Sequence, residues 1–137
     1  MTASWMARGL LLAALTLVAT SATAAAQAKA VASRLSHASQ LKIALRAVAA
    51  AQARYHAAKN SYASSVGLLR FPQAPGVTVE ILVAGGSGWQ GRALHREQPG
   101  RSCVIFVGRL NGLEAPRTDG DRDMAGEEGV PLCDRMR

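Results

Sequence analysis

From about Ala30 to Lys59 the chain contains neither Gly nor Pro, and beyond Pro75-Gly76 its apolar period changes from three-and-four to two. This switch confines the fold to a helix followed by strands. In the first stretch Val31, Leu35, Ala38, Leu41, Leu45, Val48, Gln52 and Tyr55 fall on one helical face. Arg34, Lys42, Arg46 and Lys59 take the other faces. The abundant alanine favours helix, and Asn60-Ser61 supplies a stop. A helix of about 30 residues would be about 45 Å long. That is long for so small a domain, so its first turns are expected to project from the globule or to lead from a membrane.

Tyr62 to Phe71 reads as a connector with a short apolar patch, Val66, Leu68 and Leu69, closed by the turn residues Pro72 and Pro75-Gly76. Val77, Val79, Ile81 and Val83 then alternate with Thr78 and Glu80, which predicts a half-buried strand over 77–83. After the Gly85-Gly86-Ser87-Gly88 turn a second strand is predicted over 89–95, with Trp89, Gly91 and Ala93 opposite Gln90 and Arg92. The third, 102–108 (SCVIFVG), is the most apolar and so the best covered. The expected layout is α+β: a long N-terminal helix on a three-strand antiparallel meander. Periodicity vanishes after Asn111, so 109–137 reads as a surface loop that returns to the sheet at Pro131-Leu132-Cys133.

The N-terminus has the order of a secretory signal. Met1 to Arg8 carries one basic side chain, Gly9 to Val18 is uncharged and apolar, and Ala19 to Ala28 offers A-x-A cleavage sites. The strongly apolar part is about ten residues, against the roughly 20 that span a bilayer. Residues 1–28 are therefore expected to be a cleaved signal peptide, with a retained hydrophobic membrane segment as the alternative. Residues 29–137 remain, enough for one domain with a thin, aromatic-poor core. Export places the domain in the periplasm or outside the cell, or on the inner membrane if the segment stays.

Cys103 and Cys133 are the only cysteines, and in an exported chain an even count reads as a disulfide. Closing a loop of about 30 residues would stabilise the fold by roughly 3–4 kcal/mol. No histidine lies near either cysteine in sequence, which argues against a metal site there.

Sixteen basic and nine acidic residues give a net charge of +7. Seven of the nine acids follow residue 113, which leaves Glu80 and Glu97 among a dozen Lys and Arg in the body. Such a body attracts an anionic surface or simply meets solvent.

Helix, antiparallel sheet and disulfide-tied loop together look like the type IV pilin fold. Leu45 to Tyr62 (LRAVAAAQARYHAAKNSY) resembles the helix end of pilins and pseudopilins, through Gln52, Tyr55, Asn60 and Tyr62. GVTVEI, GWQGRALH, SCVIFVG and GVPLCD follow the pilin-like order. The resemblance covers roughly residues 40 to 108 and Gly129 to Asp134. It implies a structural or accessory protein of a type IV pilus or type II secretion-type system. Its partners would be pilin-like subunits or envelope proteins. The chain departs from that family at the prepilin cleavage region. Arg8-Gly9-Leu10 stands where the cut would fall, but Ala14 occupies the place of the glutamate used in assembly. A soluble periplasmic or secreted binding protein on the same scaffold is the alternative expectation.

No residue set supports catalysis. Serines lack a G-x-S-x-G setting, and no phosphate-binding glycine fingerprint occurs. His37, His56 and His95 share no metal-ligand spacing, so exposed, unconnected histidines are expected. Asp119, Asp121, Asp123 and Glu127 alternate in the manner of calcium ligands, but the EF-hand Gly and Glu positions hold Met124 and Val130. The resemblance to major pseudopilins implies a weak calcium site in this loop. The competing readings are a solvated loop or pairing with the basic body. Arg92, Arg96, Arg101 and Arg109 form a candidate patch for anions or DNA, without the interleaved aromatics of a single-strand binder. Trp89 is either a core plug or an exposed contact.

Overall fold

The computed structural model describes Thr23, Ala24, Ala26, Gln27 and residues 35–137. Residues 35–137 belong to one compact unit, and Thr23, Ala24, Ala26 and Gln27 belong to a separate one. The residues of the latter are helical. The expected export segment otherwise lies outside the described residues. Among the described residues no helix is long and apolar enough to cross a membrane.

Helix α1 spans His37–Lys59. It starts later than the predicted residue 30, because Ser36 adopts an extended conformation and its Oγ accepts the Ser39 N–H at 3.2 Å. A serine hydroxyl that satisfies a first-turn donor fixes a helix start. The expected turns over 30–34 lie outside the described residues. At the other end Asn60 turns left-handed, with φ 57°, and donates its N–H to the His56 carbonyl. His56 and Lys59 in the last turn complement the negative helix end.

Leu41, Ala44, Leu45, Val48, Ala51 and Gln52 form the buried stripe of α1. It lies on a four-strand antiparallel sheet in the order β1-β2-β3-β4: Val77–Ala84, Gly88–His95, Ser102–Gly108 and Leu132–Cys133. Inward-facing Val77, Val79, Trp89, Ala93, Cys103 and Ile105 complete the core. Trp89 is 1% exposed, a core plug rather than a contact. Between α1 and β1 a 3-10 turn, Val66–Leu69, presses Val66 and Leu69 against the core and leaves Leu68 51% exposed.

The sheet has four strands, where periodicity predicts three. The additional strand, β4, pairs Cys103 with Cys133 and Val104 with Leu132. At two residues it is too short to carry a period. Cys103 and Cys133 form the disulfide, and the cross-strand register sets them face to face. The register between β1 and β2 shifts between Ile81 and Val83, a bulge that leaves Leu82 without a partner at the sheet edge.

The C-terminal segment is more ordered than a surface loop. β3 is buried on both faces because this segment covers the face opposite α1. Ser102 Oγ accepts the Asp119 N–H at 2.8 Å, Gln90 donates to the Glu114 carbonyl at 2.7 Å, and Thr118 is fully buried. At its centre the Asp134 carboxylate accepts backbone N–H groups from Ser102, Gly120 and Asp121 at 2.8, 2.9 and 2.6 Å. Burial works to raise the pKa of Asp134. The Thr118 hydroxyl and the three backbone donors outweigh it and hold the carboxyl below its ordinary range.

Candidate functional site

The fold brings together two of the three histidines. His37 is the first residue of α1, placed there by the Ser36 cap. His95 ends β2 on its inward face and is buried, with 7% exposure. Glu97 and Gln98 follow in the turn to β3. The His37 and His95 rings lie 4.3 Å apart between centroids, and the Glu97 carboxylate meets His37. Sequence spacing hid this group, since His37 and Glu97 are 60 residues apart. The expectation of unconnected, exposed histidines is corrected here. The signal available in the sequence was indirect: His95 continues the inward alternation of Trp89, Gly91 and Ala93.

The hydrogen bonds fix the tautomers. Gln98 Oε1 accepts the Arg137 N–H at 2.8 Å, and its Nε2 donates to the Arg137 carbonyl at 2.7 Å. That pair orients the amide, so the remaining Nε2 proton points at His37 Nδ1, 2.9 Å away. Nδ1 of His37 is therefore the acceptor, and its Nε2–H donates to Glu97 Oε2 at 2.9 Å. The Glu97 backbone N–H donates to His95 Nδ1 at 3.2 Å. In this arrangement Nδ1 is the acceptor in both rings. Burial pushes the His95 pKa down; His37 and Arg96 add to the shift and Glu97 opposes it. One ligand atom from each of His37, His95 and Glu97 lies within 4.8 Å of the other two.

The acidic loop is arranged otherwise. Asp119 accepts Arg92 Nη1 at 3.0 Å, and Asp121 accepts Arg101 Nη1 at 2.8 Å. Asp121 also accepts the Arg135 backbone N–H, the main cause of its lowered pKa; desolvation opposes this and Arg101 assists. The Asp123 backbone N–H meets Thr118 Oγ1, and the Glu127 carbonyl accepts the Val130 N–H. Among the described residues, His37, His95 and Glu97 are the set of three brought within metal-ligand reach, and Asp119, Asp121, Asp123 and Glu127 supply none. Two of these acids instead pair with the basic body.

The same pairs engage half of the candidate basic patch. Arg92 lies beside Glu80 in the β1–β2 register and bridges Glu80 and Asp119. The bond to Glu80 raises its pKa most, against burial, and Asp119 adds to it. Arg101 is committed to Asp121. Arg96 and Arg109 are exposed.

No protein-family model and no curated protein matches the chain.

Proposed function

We propose that the chain is an exported pilin-like protein, a structural or accessory component of a type IV pilus or type II secretion-type assembly that acts through its surfaces. The observation that carries this reading is the architecture of residues 37–133. One helix covers one face of an antiparallel meander, and a disulfide-tied segment returns to pair beside the third strand. Gln52, which stands in the pilin-like helix-end pattern, is the buried residue that ties this helix to the chain that follows it. Exposed Ile43 on α1 and Leu82 at the β1 edge offer apolar contact points to neighbours.

A second reading is favoured by one residue. Ala14 stands where a pilin carries its assembly glutamate, which supports a soluble periplasmic or secreted binding protein on the same scaffold. N-terminal sequencing and intact mass of the protein from its host's envelope fractions decide between them. A start at Leu10 in the membrane or sheared-filament fraction supports assembly. A start within Ala25 to Lys29 in the soluble fraction overturns assembly and supports the binding protein.

A further inference from the structure

We propose that His37, His95 and Glu97 bind one divalent transition-metal ion of the zinc type. The donor set is two imidazoles and one carboxylate, the chemistry that zinc takes with an open position for water. The ligands come from separate elements fixed by the fold: the capped start of α1, the end of β2 and the following turn. His37 Nε2 and Glu97 Oε2 are 2.9 Å apart and share a proton. An ion bonded at about 2.0–2.2 Å to each takes that proton's place with a small separation of the pair. The Glu97 side chain is 60% exposed, so it can follow the ion, and the site opens to solvent for entry.

The proton balance is set by the tautomers. In the neutral rings the hydrogen sits on Nε2, and Nδ1 is the acceptor of both hydrogen bonds. Coordination of His37 through Nε2, the atom beside Glu97, moves its hydrogen to Nδ1 within the ring, while His95 offers the nitrogen that lies within 4.8 Å of the other two donors. Glu97 enters as carboxylate, nothing is oxidised or reduced, and no proton is released from the neutral form. Coordination has consequences at both rings. On His95, an ion bound at Nδ1 or a hydrogen moved there displaces the Glu97 backbone N–H. On His37 the moved hydrogen faces Gln98 Nε2, a donor, so Gln98 must present its oxygen instead. Gln98 then loses both bonds to the Arg137 backbone. Metal binding is thus coupled to release of Arg137 from the turn, a signature that adventitious surface binding lacks.

The test titrates zinc chloride into the oxidised, tag-free full chain by calorimetry at pH 7. Amide NMR is recorded alongside. The expected result is one saturable site, with shifts at His37, His95 and Glu97 and faster amide exchange at Arg137. His37→Ala should weaken zinc at least tenfold. Glu97→Gln, at an exposed side chain that should leave folding intact, should weaken it in the same direction. Calcium chloride should give no saturable heat. Absence of saturable zinc binding overturns the site. So does binding that Glu97→Gln and His37→Ala leave unchanged, or binding whose shifts centre on His56 while Arg137 stays protected.

Discussion

Gln52 and Ala63 exchange two hydrogen bonds of 2.8 Å, the side-chain amide of one meeting the backbone N–H and C=O of the other. Gln52 is fully buried and Ala63 is 1% exposed, so water can replace neither bond. The helix side chain acts as one rung of a strand ladder for a segment that belongs to no strand. It fixes where the chain leaves α1 and starts toward the 3-10 turn. Gln52→Ala should orphan both backbone groups at roughly 1–3 kcal/mol each. Urea denaturation should therefore show a loss of about 2–6 kcal/mol. Gln52→Glu sets a carboxylate against the Ala63 carbonyl at a buried site, so it should destabilise at neutral pH and recover as acid protonates the side chain and restores a donor. A loss under about 1 kcal/mol for Gln52→Ala would mean the segment finds other partners.

Trp89 and Gly91 form a second constrained pair. A Cβ built on Gly91 would stand 2.7 Å from Trp89 Cζ3, because the indole lies along its own strand over that position. Gly91→Ala should push the indole off its seat and cost about 1–3 kcal/mol, the range for overpacking a filled core. The tryptophan emission should shift to the red as stability falls. An unchanged spectrum with full stability would show that the indole has room to move.

Much of this fold is legible in the sequence and much of the site is not, for one physical reason. Helix and strands announce themselves through local periodicity, so α1's buried stripe and the first three strands are readable from Leu41, Leu45, Val48, Val77, Val79 and Trp89. A strand of two residues has no period; β4 exists because the disulfide and the Cys103–Cys133 register hold it. A serine cap outweighs a continuing alanine-rich pattern, so α1 begins at His37 rather than near Ala30. The His37–His95–Glu97 group depends on tertiary placement, which spacing does not encode. Asp119 and Asp121 were recognisable as a carboxylate cluster, but their pairing with Arg92 and Arg101 needed the C-terminal segment to be laid over the sheet.

The disulfide should matter most where β4 is weakest. Cys103→Ser with Cys133→Ser removes the link across a sequence separation of 30 residues, worth roughly 3–4 kcal/mol in chain entropy. Hydrogen exchange should rise first at Cys133 and Asp134, while β1 and β2 hold their protection under native conditions. Equal loss of protection in all four strands would mean that the bridge supports the whole domain rather than its last strand.

Asp134 sets the acid limit of the fold. Its folded pKa is depressed, so the unfolded state binds the proton more readily than the native state. The stability it contributes is complete above the unfolded carboxyl value of about 3.9 and is lost as pH falls through the lower folded value. Asp121 is depressed too and adds to the same slope. Thermal unfolding followed from pH 6 to pH 2 should hold level down to about 4 and then fall as Asp134 and Asp121 take up protons. Asp134→Asn keeps the size of the side chain but turns an N–H₂ toward backbone donors. It should lower the melting temperature at pH 6 and flatten the decline below 4. If the substitution leaves the acid slope as steep as before, the proton uptake lies elsewhere and the three N–H bonds to Asp134 do not govern it.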